Sequence, residues 1–254
     1  MKAARTVLTL ILAALCAGAG PTAAQDRSSK TPEKDAQYEC EKGLVALRYG
    51  LTDEAIRYGN LAISIDPKNY GGYSLLGNVY YQKGDFAQSI AAFEKAAEIR
   101  PDLAEVHFGL GRAYFETRDL DKAEAEFKRA GAIKEDAVTS FNLARVYFMQ
   151  KKLDQALGEV LNSIKKDARS AEAYKLKGII LNELGRYAEA AGTFQAGLVL
   201  APNDVNLKIN LGIAYINSQE PGKARAVLEK VLPQIDDPAL KAKIEDYLKS
   251  IKDP

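Results

Sequence analysis

The chain has 254 residues, 47% of them hydrophobic, with 35 Lys and Arg against 34 Asp and Glu. That length and apolar share allow one or two compact domains or one repeat array, and a net charge of +1 supplies no global field for nucleic acid or anionic lipid, so no nucleic-acid partner is expected. Trp is absent, Pro is sparse at 9, and Ala, Leu, Lys and Glu are plentiful, which leans the fold to all-α.

Residues 1–24 read as a secretory signal peptide. Lys2 and Arg5 form a positive start, Val7 to Leu15 an apolar run, and Ala17, Gly18, Ala19, Thr22, Ala23 and Ala24 a small-residue end. The apolar run is too short to span a bilayer as a permanent helix. Cleavage is expected after Ala24 rather than Ala19, because Pro21 sits close behind the earlier site. Export to the periplasm or the exterior follows, and losing two cations turns the net charge from +1 to −1. Cys16 raises a lipidated alternative, but Leu15 stands before it where bacterial lipoprotein signals carry a small residue. A membrane partner is therefore expected only if Cys16 is lipidated. Residues 25–35 are polar and contain Pro32, and are expected to be a flexible linker.

From residue 36 onward the sequence repeats. Gly43, Gly77, Gly111, Ala144, Gly178 and Gly212 recur at 34, 34, 33, 34 and 34 residues. A second set of small residues, Ala55, Ser89, Ala123, Ala156, Ala190 and Ala224, keeps the same intervals. Each unit carries two segments with apolar residues at helical spacing, as in Tyr73, Leu76, Gly77 and Tyr80 followed by Phe86, Ile90, Phe93 and Ala97. The short polar turn Lys83-Gly84-Asp85 makes the two helices antiparallel. Six units are placed at about 36–69, 70–103, 104–136, 137–170, 171–204 and 205–236, with Pro67, Pro101 and Pro202 punctuating turns between them. The first unit is weak because Gly59 stands where a second-helix aromatic is expected, and the fourth because Val160 does. Residues 237–254 supply a capping helix. Leu240, Ile244, Tyr247, Leu248 and Ile251 form its apolar stripe, with Lys241, Lys243, Lys249 and Lys252 off it.

The second unit, Tyr73-x-x-Leu76-Gly77-x-x-Tyr80 followed by Gly84, Phe86, Ser89, Phe93, Ala96 and Pro101, resembles the tetratricopeptide repeat (TPR) consensus. The third, fifth and sixth units follow the same pattern through Leu110-Gly111, Tyr114 and Phe127, through Tyr174, Gly178 and Phe194, and through Leu211-Gly212, Tyr215 and Leu228. The resemblance implies an all-α, right-handed α-solenoid of six antiparallel helical hairpins, plus the capping helix, whose first helices line a groove. It also implies an exported bacterial scaffold that binds a protein or peptide of unknown identity, or alternatively a lipid-anchored assembly factor resembling the type IV pilus pilotins. Carried over by alignment, the groove-facing residues are Asn78 and Tyr81 in the second unit, and Phe108, Arg112 and Phe115 in the third. The fourth contributes Phe141, Asn142, Arg145, Phe148 and Met149, the fifth Ile179 and Asn182, and the sixth Asn210. Their aromatics exceed what the repeat core requires. The arginines suit carboxylates and the amides suit an extended backbone.

Motifs for catalysis are missing from the sequence. Gly109-Leu110-Gly111 is too short for a dinucleotide fingerprint and lies within a helix. The single histidine, His107, occupies the bulky slot of its unit and reads as a packed residue with a polar tip. Cys40 reads as an idle thiol. No enzyme activity, cofactor or metal is therefore expected. The TPR class that clamps a C-terminal carboxylate holds basic residues on successive first helices. The matching positions here are Cys40, Leu44, Leu75, Glu105 and Gly109, and no basic clamp is expected from them.

Overall fold

A computed structural model describes residues 31–250. The leader with Cys16, residues 25–30, and the terminal Ile251 and Lys252 lie outside the described residues. Among the described residues every regular element is helical. In chain order these are α1 (Pro32–Arg48), α2 (Thr52–Ile65), α3 (Tyr70–Lys83), α4 (Phe86–Ile99), α5 (Ala104–Glu116), α6 (Leu120–Ile133), α7 (Ala137–Met149), α8 (Leu153–Lys166), α9 (Ala171–Glu183), α10 (Tyr187–Leu200), α11 (Val205–Asn217), α12 (Pro221–Val231) and α13 (Pro238–Ser250). A single 3₁₀ turn, Leu232–Gln234, precedes α13.

Consecutive helices pair as α1 with α2, α3 with α4, and so on to α11 with α12. The chain divides into two compact units, Met1–Lys134 and Glu135–Pro254. The first holds the hairpins α1/α2, α3/α4 and α5/α6. The second holds α7/α8, α9/α10, α11/α12 and α13. The linker expected over 25–35 does not reach residue 35. Thr31 caps α1 by accepting from the Lys34 N–H, and Pro32 occupies the first helical turn, where a missing N–H costs nothing. Residues 32–35 are therefore helical.

In every hairpin but the first, an apolar side chain of the second helix is seated on a small residue of the first helix. A Cβ on Gly77 or Gly111 would lie 2.8 Å from the ring of Phe93 or Phe127, and on Gly178 it would overlap the ring of Phe194. In the last hairpin Leu228 covers Gly212. The fourth hairpin exchanges volume between the partners. Ala144 replaces the glycine and Val160 replaces the ring, and both are fully buried. The first hairpin has no ring at Gly59, so Leu75 from α3 packs onto Gly43, and Leu76 onto Gly59. The second small series, Ala55, Ser89, Ala123, Ala156, Ala190 and Ala224, is 0% exposed at every position. The Ser89 hydroxyl donates to the Gly77 carbonyl at 2.8 Å, so the one polar member of that series is satisfied.

The turn inside every hairpin has one residue in the left-handed conformation: Gly50, Gly84, Arg118, Lys151, Gly185 and Gln219, with φ between 59° and 79°. The following N–H returns to a carbonyl of the first helix, as in Asp85 to Tyr80 at 2.9 Å and Lys152 to Tyr147 at 2.9 Å. This closes the helix end with the bonding of a Schellman motif. Half of these positions tolerate a side chain in αL because the bonds on both sides fix the backbone. In the second unit Ile244 of α13 is buried, and Leu240, Tyr247 and Leu248 pack on the cluster of Leu211, Leu228, Val231 and Ile235. Lys243 and Lys249 face solvent, whereas Lys241 is half-buried.

Two glycine series separate the crossing from ordinary helix propensity. Gly178→Ala should destabilise the protein by about 1–3 kcal/mol through overpacking against Phe194, and Gly111→Leu by at least as much. Gly192, exposed in α10 with open space around its Cβ direction, should instead gain about 0.5–1 kcal/mol as Ala. Urea midpoints at constant slope decide between them. Equal responses at positions 178 and 192 would reject the crossing as the tight point.

Candidate functional site

In the first unit the first helices α1, α3 and α5 enclose a groove of about 900 Å³. Leu44 and Glu41 of α1 stand on one side, and Phe108 and Arg112 of α5 on the other. Gly71, Ser74 and Asn78 of α3 contribute the surface between them. The core face of α5, with Val106, Leu110, Ala113 and Tyr114, is buried, which turns Glu105, Phe108 and Arg112 toward the groove. Gly71 makes room for a polar contact, since its Cβ direction meets both the Asn69 amide oxygen and the Cys40 sulfur. The Cys40 thiol donates to Asn69 Oδ1 at 3.1 Å, and Asn69 Oδ1 also accepts from the Gly72 N–H at 2.8 Å to cap α3.

Arg112 is the most distinctive charge in the groove. Its guanidinium stacks on the Tyr81 ring at 3.9 Å and lies 5.9 Å from the Phe108 ring. Tyr81 is itself fixed, with its hydroxyl donating to Glu116 at 3.2 Å and its ring edge-on to Phe86 at 5.5 Å. Among the described residues Arg112 forms no ion pair. By contrast Arg100 is committed to Asp102 through two bonds of 2.7 and 2.8 Å, and this pairing holds the Asp102 carboxyl at about 2.

The structure sorts the residues expected from sequence. Asn78, Phe108 and Arg112 line the groove of the first unit. Tyr81 acts from behind Arg112, and Phe115 is half-buried on α5 outside the groove lining. Phe108 is divided between two roles, because its ring also packs edge-on against Phe127 at 5.6 Å. In the second unit Phe141, Asn142, Arg145 and Phe148 are half-buried on α7, and Met149 is exposed there. Ile179 packs partly on the core cluster. Asn182 on α9 has a buried side-chain oxygen that accepts no bond among the described residues. The amides are less available than expected for a bound backbone. Asn78, Asn142 and Asn210 each donate to the carbonyl four residues back, on Ser74, Val138 and Asn206, at 2.8–2.9 Å. Asn142 Oδ1 also accepts from Arg145 at 3.0 Å.

Sequence reasoning passed over part of this groove. Cys40, Leu44, Leu75, Glu105 and Gly109, rejected as carboxylate-clamp positions and not counted among the groove residues, all line it. The signal available was the helical stripe Glu105, Phe108, Gly109 and Arg112, which runs at i, i+3, i+4 and i+7. The basic residue lies three positions beyond the last clamp position. His107 lies away from the groove, tied on both nitrogens. Nε2 donates to the Pro101 carbonyl at 2.9 Å, and one proton bridges Nδ1 and the Glu126 carboxylate across 2.6 Å. Arg129 holds the other Glu126 oxygen at 2.8 Å. His107 is thus a packing residue with its polar tip satisfied.

Two family models match the chain, a TPR repeat over residues 77–117 and a tetratricopeptide repeat-like domain over 103–213, together more than half of it. A TPR repeat-containing protein of Methanocaldococcus jannaschii, MJ1428, is 23% identical over 222 residues, which is 83% of this chain and 39% of that protein. The chain therefore spans about two fifths of that relative's length. Among solved structures, YrrB, described as a TPR protein with an unusual peptide-binding site, is similar with a TM-score of 0.65 at 21% identity, over 74% of this chain and 97% of that one. The pilF protein of Pseudomonas aeruginosa gives a TM-score of 0.75 at 15% identity, over 85% of this chain and 99% of that one. At these identities the likeness shows the helical-repeat fold.

The environment of Cys40 makes a chemical prediction. Burial, with Glu41 and Glu39 adding to it, pushes the thiol from 9.0 up to about 11. At pH 7.5 alkylation of Cys40 by iodoacetamide should be about 100-fold slower in the folded protein than in urea, because the thiolate is the nucleophile. Mass spectrometry of the Cys40 peptide reads the rates. The sign of the linkage is also fixed. The stability tied to the neutral thiol is complete below pH 9.0 and is lost as pH rises through about 11. Equal folded and unfolded rates would show an open thiol.

Proposed function

We propose that this chain, which belongs to the tetratricopeptide-repeat family, is a non-enzymatic adaptor that holds a peptide or helix of a partner protein against its first helices. TPR proteins are protein–protein interaction scaffolds, and the groove of the first unit supports that role for this chain. The observation that carries the reading is the combination of apolar Leu44 and Phe108 with the stacked, ion-pair-free Arg112 around one cavity. Apolar surface supplies affinity and a fixed guanidinium supplies orientation. The peptide-binding site described for YrrB supports a peptide as the ligand class. In the groove the Cys40 thiol faces an amide, and away from it both nitrogens of His107 are engaged.

The proposed place of action is the bacterial cell envelope, on the strength of Lys2, Arg5 and the apolar run Val7 to Leu15. In the first form of this proposal the mature protein begins at Gln25 and is soluble. In the alternative form Cys16 is lipidated and the protein is an anchored assembly factor.

Two experiments test these statements. Tagged protein should recover a partner from the native envelope, and Arg112→Glu with Leu44→Ala, shown folded by circular dichroism, should lose it. Recovery of the same partners by both proteins would place binding elsewhere. Intact-mass analysis of the exported protein should give a chain starting at Gln25. A chain starting at Cys16 and carrying acyl mass would select the anchored form.

A further inference from the structure

The groove of the first unit carries charges of both signs. Glu105 and Arg112 stand on the same face of α5 and line the same cavity. Seven residues of helix place them about 10 Å apart along the axis, with Phe108 between them. Glu105 stands at one end of this pair. Glu33, Glu41 and Asp66 line the groove as well, with Lys68 and with an Arg100 that spends two of its five N–H donors on Asp102. Glu105 itself forms no ion pair among the described residues. The other end holds Arg112, pressed on Tyr81 and therefore fixed in plane, with its remaining N–H donors unclaimed by any carboxylate.

We propose that the occupant of this groove is a short extended segment of a partner that is charged at both ends. An acidic side chain meets Arg112, an apolar side chain lies over Phe108 and Leu44, and a basic side chain meets Glu105. This rests on the adaptor reading and adds the chemistry of the ligand to it. A segment in the extended polyproline II conformation advances about 3.1 Å per residue with three residues per turn, so an acid and a base three positions apart face the groove together, about 9 Å apart. A uniformly acidic segment satisfies Arg112 but places like charge against Glu33, Glu41, Asp66 and Glu105. A uniformly basic one fails at Arg112. An apolar segment leaves the guanidinium desolvated with nothing to bond. A free C-terminal carboxylate satisfies Arg112 alone and makes no use of Glu105.

The test is selection of a random internal heptapeptide display library on the folded protein. Enriched sequences should carry an acid and a base separated by two residues, one of them apolar. For a selected peptide synthesised with blocked ends, Arg112→Gln and Glu105→Gln should each weaken binding about tenfold or more. Arg112→Glu should be rescued by replacing the peptide acid with lysine. Selected peptides lost with Leu44→Ala yet indifferent to Arg112→Gln and Glu105→Gln would overturn the two-charge occupant while leaving the adaptor role intact. Peptides indifferent to all three substitutions, or a library that yields no binder, would overturn both.

Discussion

The close approach of the two helices in each hairpin is the constraint on which the rest of this structure depends. Backbones this near leave room for one large side chain and one position without a side chain, and the pair has to meet at the same height in every unit. Phe93 on Gly77, Phe127 on Gly111, Phe194 on Gly178 and Leu228 on Gly212 all satisfy it. The partners in each case are 16 residues apart in the chain. The turn between them has its own requirement, one residue in αL at the end of the first helix, and the six such positions keep the repeat interval. Crossing and turn together leave few choices of hairpin geometry, and stacking then buries what one hairpin alone leaves exposed.

This constraint explains what was legible in the sequence. A small residue every 33 or 34 positions is visible because a larger side chain there meets the apolar side chain packed on it. The turn series was less visible, because Arg118, Lys151 and Gln219 adopt the same left-handed conformation as Gly50, Gly84 and Gly185. The two units that matched the consensus poorly have physical reasons for it. In the fourth, one methyl group added at Ala144 is offset by a smaller partner at Val160. The first hairpin lacks its ring and draws Leu75 and Leu76 from the next first helix. A consensus scores residue types, whereas the fold conserves occupied volume.

The groove was only partly legible, because its residues are under no comparable packing requirement. Aligning aromatics picked out Phe108 and Arg112 correctly but also Phe115, and passed over Glu105 and Leu44. The amides illustrate the other difficulty. Asn78, Asn142 and Asn210 read as free donors on a helix face, but a side-chain amide on a helix finds the carboxamide-accepting carbonyl one turn back within its own reach. Half of each donor set is spent locally before a ligand arrives, a competition that residue type alone does not reveal.

On α5 folding and recognition use different faces of one helix. Val106, Leu110, Ala113 and Tyr114 belong to the core, while Glu105 and Arg112 look into the groove. Stability and ligand choice can therefore vary independently at most of its positions. Phe108 is the exception, since its ring lines the groove and also meets Phe127 edge-on. A change at Phe108 alters the hairpin crossing and the binding surface together, so its effect on binding cannot be separated from its effect on packing. Arg112 can be separated, because the Tyr81 ring that orients it is held in place by Glu116 and Phe86. Removing the guanidinium leaves that support standing. The position at which this groove can change its ligand without changing its fold is therefore the arginine rather than the aromatic residue beside it.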